Sequence, residues 1–200
     1  MVHDLIKRCM DITGSLIGLV FISALYPFAA IMIKLDSPGP ALIKLPRISR
    51  GKMIYVYKFR SMRHNAHPEK KLLRHLNERK DGSFFKISND PRITRVGRIL
   101  RKWHIDEFPQ LINVLKGELS LVGPRPHEPE EMYDYPAPYR HLLLAKAGIT
   151  GLSQVNGASG LPFLRELELD SAYLRQQSLL LDLKILFKTL YIFFFDPNGI

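Results

Sequence analysis

The stretch ITGSLIGLVFISALYPFAAIMI, residues 12–33, runs for 22 positions without a formal charge. About 20 apolar residues in helical form cross the hydrocarbon core of a bilayer, so this length reads as membrane-embedded rather than as an ordinary core helix. Two features argue against a plain crossing. Pro27 lies inside the run, where proline removes a helical N–H and clashes with the preceding turn, so a break is expected between Ala24 and Tyr26. Lys7 and Arg8 precede the run, and Lys34, Lys44, Arg47, Arg50 and Lys52 follow it. Basic residues favour the cytoplasmic side of a membrane, and here they stand on both flanks. A re-entrant helix hairpin, entering one leaflet, turning at Tyr26 and Pro27 and leaving on the side it entered, satisfies both ends. A single span and a cleaved signal peptide are the alternatives.

The rest of the chain is a basic domain. Its 200 residues fit one domain of ordinary size, and a hydrophobic fraction of 46% is enough for a buried core. Lysine and arginine number 29 against 19 acidic residues, a net charge of +10. That surplus implies anionic partners: nucleic acid, phosphorylated small molecules or an anionic membrane surface. Cys9 is the only cysteine, which excludes an internal disulfide and fits the reducing cytosolic side. His64 and His67 read as solvated loop residues rather than metal ligands, and no Cys/His zinc pattern is present.

The composition implies an α+β fold that is mainly helical. An anchor over residues 1–36 leads into one domain on the cytoplasmic side over residues 37–200, with no linker dividing it. After the anchor, ALIKLPRISRGKMIYVYKFRSM (41–62) reads as a small β-hairpin turning at Arg50 and Gly51. A short helix is expected over Lys70–Arg79. TRVGRILRKW (94–103) spaces Val96, Ile99, Leu100 and Trp103 as one helical face, with Arg95, Arg98, Arg101 and Lys102 on the other. That basic stripe could meet lipid headgroups, a diphosphate or water. In SLLLDLKILFKTLYIFFF (178–195), Asp182, Lys184 and Lys188 interrupt an apolar run. An amphipathic helix in the membrane interface fits this pattern, and a core helix is the alternative. Apolar surface near both ends also allows a homodimer.

Between these helices lies RKWHIDEFPQLINVLKG (101–117), where Asp106 and Glu107 stand side by side. Pro109 places them at a helix start, with Asp106 as N-cap, Glu107 at the first helical position and Gly117 as C-cap. Capping and the helix dipole explain such a pair without any chemistry. Its company points further. In GPRP (123–126) two prolines restrict the backbone around Arg125, presenting its guanidinium in a fixed direction suited to phosphate. Gly148, Gly151, Gly157 and Gly160 allow close backbone approach to a ligand, without the Gly-Lys-Ser/Thr ending of a P-loop.

Taken in order, the proline-containing anchor, YKFRSM (57–62), DEFPQLINVLKGELSLVGPRP (106–126), AGITGLSQVNG (147–157) and ELDSAYL (168–174) resemble the bacterial sugar transferase family, the monotopic polyprenyl-phosphate phosphoglycosyl transferases. The resemblance runs from Lys7 to about Phe194. It implies transfer of a sugar-1-phosphate from a UDP-sugar to undecaprenyl phosphate at the cytoplasmic face of the inner membrane, initiating a surface glycan or exopolysaccharide. Asp106 would attack the sugar-bearing phosphate, releasing UMP and leaving a phosphosugar-aspartyl intermediate for the lipid phosphate to attack. Glu107 would aid acceptor attack or hold metal, with both carboxylates as ligands of Mg²⁺. Arg125, Arg101, Lys58, Arg60, Gln154, Asn156 and Asp170 would bind substrate. An ionised carboxylate needs no base to act as nucleophile, but an anion attacking a diphosphate needs compensating positive charge. The basic residues, Mg²⁺ and the N-terminal end of the Asp106 helix would supply it.

Two positions depart from the family's pattern. Tyr26 stands where members often carry serine before the anchor proline, and Ala158 stands where a basic or bulky residue often follows Asn156-Gly157. Two other classes compete. A nucleic-acid-binding protein would use the arginine stripe on phosphates, and a non-catalytic membrane scaffold would use Asp106 only as a cap. The first leaves the uncharged segment and the acidic pair unexplained, so nucleic acid is not an expected partner.

Overall fold

The computed structural model describes residues 2–79, 81, 85–157 and 160–195, the side chain of Val2 excepted. Ala158 lies outside the described residues. The uncharged stretch forms the middle of one helix, α1 (Val2–Asp36). Its buried positions are Lys7, Asp11, Ser15, Ile22, Ala29 and Ile33, steps of four and seven that trace one stripe along a helix. Leu16, Ile17, Val20, Phe21, Phe28, Ile31 and Met32 are exposed around the rest.

The structure has one helical element where a hairpin of two is expected, and Pro27 lies inside it. A proline inside a helix costs ~3 kcal/mol, and packing on both sides of it opposes the break. Ile22 before it and Ala29 and Ile33 after it join one core cluster with Ala41, Phe59 and Leu100. Tyr26 is tied to the body, its ring centroid 5.8 Å from that of Phe59.

The end of α1 fixes the next elements. Strands β1 (Leu42–Ser49) and β2 (Lys52–Phe59) pair antiparallel from Leu42 opposite Phe59 to Ser49 opposite Lys52. Arg50 (φ 53°) and Gly51 (φ 69°) make the two-residue turn, both in the left-handed region as a type I′ hairpin requires. The helix expected over Lys70–Arg79 is replaced by two 3-10 turns, Pro68–Lys70 and Arg74–Leu76.

Helix α2 (Arg95–Lys102) is capped by the Thr94 hydroxyl, which accepts from the Gly97 N–H at 3.0 Å. Val96 and Leu100 turn into the core. Ile99, placed on the same face by its spacing, is instead 61% exposed, among Arg95, Arg98 and Lys102. Val96 and Leu100 are four positions apart and so share one face of this short helix, the face packed on the core.

Helix α3 (Leu111–Lys116) ends at Gly117 (φ 81°), a left-handed C-cap as expected. Beyond it, β3 (Ser120–Val122) and β4 (Gly148–Thr150) pair in parallel. Helices α4 (Phe163–Gln176) and α5 (Leu179–Phe195) close the chain.

Helix α5 has one packed face and one exposed apolar face. Ile185 and Ile192 pack with Val122, Val155 and Tyr173, while Leu183, Phe187, Leu190 and Phe194 face outward. Asp182, read as a polar interruption, points inward. It is fully buried, and its carboxylate accepts from Lys7 Nζ and from Tyr173 Oη, each at 2.6 Å. A buried charge needs such partners, so the two ends of the chain are joined by an ion pair.

Candidate active site

The acidic pair lies between β2 and α3, in a 3-10 turn over Ile105–Gln110. Pro109 has no N–H to donate, and a regular α-helix begins only at Leu111. The capping residue is His104, held at φ 49°, with Asp106 second and Glu107 third in the turn. Asp106 is therefore not the N-cap its sequence context suggests. Asp106 and Glu107 do stand in the first turn of this 3-10 helix, which runs on into α3 at Leu111.

The two carboxylates have different surroundings, because adjacent residues in a 3-10 turn point about 120° apart. Asp106 is 5% exposed and accepts no hydrogen bond among the described residues. Burial pushes its carboxyl above the usual range, with Lys58 opposing, Glu107 adding to the rise, and Arg101 and His104 opposing. Glu107 takes the Lys58 ammonium at 2.5 Å. Its burial would raise it too, but Lys58, then Arg125 and His104, hold it down to about 2. One carboxylate is thus neutralised by a partner, and the other is left bare inside a positive field.

Each cation comes from a separate element. Lys58 stands near the end of β2, opposite Ile43. Arg101 sits on α2, its Nε donating to Ser61 Oγ at 2.9 Å. That distance depends on Gly97, since a Cβ there would collide with the Ser61 backbone. Arg125 lies in the turn after β3. Its N–H donates to Asp170 Oδ2 at 3.0 Å, and its Nη1 lies 3.3 Å from Glu166 Oε1. Burial would lower the guanidinium, but Glu166, then Glu107, outweigh it and hold Arg125 above its ordinary value.

The other expected substrate residues serve the scaffold in this structure. Arg60 is 3% exposed and donates to the carbonyls of Ile33, Ser37 and Pro38 at 3.2, 2.6 and 2.5 Å. It closes the C-terminal end of α1, where orphan carbonyls need donors. Asp170 is fully buried behind the Arg125 backbone. Gln154 is buried, its amide 3.4 Å from the Ile149 carbonyl, and Asn156 accepts from Lys188 on α5 at 2.9 Å.

Three residues join the site that sequence reasoning passed over. His104 acts on both carboxylates. Asn113 locks α3 to β2, accepting from the Tyr57 N–H at 3.0 Å and donating to the Tyr55 carbonyl at 2.8 Å. Glu166 holds Arg125, and its spacing of four from Asp170 in RELELDSAY was a legible sign that both carboxylates share a helix face.

The described residues contain no cluster of three or more acidic, histidine or cysteine side chains able to hold a metal. A divalent cation here would need ligands beyond the carboxylate pair.

Comparison with known proteins bears on this geometry. A family model described as bacterial sugar transferase matches residues 2–196. Galactosyl transferase CpsE of Streptococcus agalactiae is 42% identical over 192 residues, covering 95% of this chain and 42% of the relative. The undecaprenyl-phosphate galactose phosphotransferase of Salmonella typhimurium is 42% identical over 188 residues, 92% of this chain and 39% of that protein. Exopolysaccharide production protein PSS of Rhizobium leguminosarum is 39% identical over 197 residues, 92% of each chain. The chain thus spans about two fifths of the first two relatives and nearly all of the third. Every element that builds the site falls inside the family match, and the chain belongs to the bacterial sugar transferase family.

Proposed function

We propose that this chain transfers a sugar-1-phosphate from a UDP-sugar to undecaprenyl phosphate, with Asp106 as the covalent nucleophile. The observation that carries the reading is the bare, buried Asp106 carboxylate in the field of Lys58, Arg101 and His104, with Arg125 acting on the adjoining Glu107. A carboxylate that accepts no hydrogen bond has no donor to shed before its oxygen attacks. That oxygen would form a bond to the sugar-bearing phosphorus as the phosphoanhydride bond breaks, and UMP departs with the bridging oxygen. The lipid phosphate oxygen then attacks the same phosphorus, freeing the aspartate and yielding a lipid-linked diphosphosugar. Arg125 and Arg101 would offset charge on the diphosphate. Lys58 would keep Glu107 ionised beside the reacting centre.

Mg²⁺ suits this donor set, since it is commonly held by one or two carboxylates together with substrate phosphates rather than by an all-protein cage. Asp106 and Glu107 would hold it, and it would neutralise charge on the diphosphate.

The faces of α1 support a placement on one leaflet of the membrane. Its contacts with the body run from Lys7, which reaches the Val122 carbonyl, to Asp36, which accepts from the Val96 N–H. A helix crossing the bilayer would carry these polar partners into hydrocarbon, at a cost of several kcal/mol per unsatisfied group. We therefore read α1 as lying with its exposed apolar face in one leaflet and the body against that leaflet. Ile99 among Arg95, Arg98 and Lys102, and the outward face of α5, extend the same contact towards lipid headgroups. UDP-sugars place the site on the cytoplasmic side of the inner membrane.

The test is UMP release from a panel of UDP-sugars by the chain in bilayer discs with undecaprenyl phosphate. Release with one or more donors, lost on chelation of Mg²⁺, supports the reading. Steep salt-dependent DNA binding without UMP release would replace it.

A further inference from the structure

Arg125 is gripped from behind at two points, and one helix supplies both. In the triplet Pro124-Arg125-Pro126 neither proline has an N–H, so the Arg125 N–H is the only backbone donor. It is aimed at Asp170 Oδ2, 3.0 Å away. One turn earlier on α4, Glu166 Oε1 receives the Arg125 guanidinium at 3.3 Å. Both acids are fully buried, whereas the Arg125 side chain is 39% exposed. The carboxylate that holds the guanidinium is thus closed to solvent, while the guanidinium itself is partly open.

Glu166 also has a second cation. Arg79 Nη1 lies 3.8 Å from its other oxygen, Oε2, which accepts no hydrogen bond among the described residues. Arg79 is tied in turn to the Leu161 carbonyl at 2.7 Å, just ahead of α4. Charges of alternating sign therefore run from Arg79 through Glu166 and Arg125 to Glu107 and Lys58. A buried carboxylate between two guanidiniums fixes direction, because each Arg–carboxylate contact has a preferred geometry.

We propose that Glu166 is a positioning residue for the donor diphosphate, setting the Arg125 guanidinium on its target while Asp170 fixes the backbone that bears it. Glu166 itself touches no substrate and acts through Arg125. The inference rests on the phosphotransfer reading above for the identity of the ligand, but the hold on Arg125 does not.

The test has two readouts on the full chain in lipid discs. The first is NMR of ¹⁵N-arginine protein, with the Arg125 guanidinium signal identified by its loss in Arg125→Lys. Glu166→Gln is expected to move that signal to the averaged position of exposed arginines. An unmoved signal overturns the proposal whatever the enzyme's substrate. The second is a double-mutant cycle in UMP release. Glu166→Gln should raise KM for the UDP-sugar about tenfold with a smaller change in kcat. In the Arg125→Ala background the same change should add less than twofold. Full effects in both backgrounds would show that Glu166 acts independently of Arg125. Glu166→Asp, which keeps the charge, should restore part of the KM and covers the case in which Glu166→Gln folds poorly. A wild-type chain that releases no UMP while Glu166→Gln still moves the Arg125 signal would sink the phosphotransfer reading and leave the hold on Arg125 standing.

Discussion

Replacing Lys7 by methionine tests whether α1 belongs to the folded body or only tethers it. Lys7 Nζ donates to Asp182 at 2.6 Å, to the Val122 carbonyl at 3.0 Å and to Tyr173 Oη at 3.2 Å. In Lys7→Met the methionine stem still fills the site, but Asp182 keeps only the Tyr173 hydroxyl, and its carboxylate is fully buried. Stranding one member of a buried pair costs about 3–5 kcal/mol. For a chain of this size that converts to a fall in Tm of roughly 6–20 °C. The assay is thermal unfolding in detergent or lipid discs, followed by near-UV absorbance or protease resistance. The double variant Lys7→Met with Asp182→Leu should recover most of the loss, because an apolar pair of similar volume can replace a buried ion pair at little cost. A single variant that unfolds within 1–2 °C of wild type, on the order of 0.5 kcal/mol, would refute the claim that this contact holds α1 and α5 to the body.

Two further predictions separate scaffold from site. Arg60→Met should cost about 2–3 kcal/mol by leaving the last α1 carbonyls without their charged donor, with KM for the UDP-sugar within twofold of wild type; a large KM change with unaltered stability would return Arg60 to the substrate. Asp170 is raised to about 6, chiefly by burial and against hydrogen bonds from Ser153 and the Arg125 backbone. The folded chain then binds a proton that the unfolded chain, with a carboxyl near 3.8, has already lost. Stability from this group should fall as pH rises through that window, by about 1 kcal/mol between pH 5 and pH 7.5. Thermal unfolding of wild type and Asp170→Asn at the two pH values checks it, since the variant should lose that slope.

Local pattern made much of this fold legible. The β-hairpin followed from β-branched and aromatic residues on either side of Arg50-Gly51, the Gly117 cap from its place after an apolar run, and α2 from its period. What the sequence does not show is set by partners distant in the chain. Pro27 predicts a break if the helix stands alone, but Ile22, Ala29 and Ile33 are held by Phe59 and Leu100. Asp106 has the sequence context of an N-cap, yet the tight turn at Pro109 moves the cap to His104. Arg60 and Asp170 are of the right type for phosphate or metal binding, and the fold adds contacts that the sequence does not show, with carbonyls at and just past the end of α1 and with the Arg125 N–H. Asp182 looked like a polar interruption because Lys7, its partner, lies 175 positions away.

The central claim is that Asp106 becomes covalently bonded to the sugar phosphate. Intact-mass spectrometry of the chain mixed with an active UDP-sugar, with undecaprenyl phosphate withheld, measures this directly. The account predicts a mass gain of one sugar phosphate, mapped to Asp106 by peptide analysis, discharged on adding the acceptor and missing in Asp106→Asn. Turnover to the lipid-linked product in Asp106→Asn, or an adduct on another residue, would contradict it.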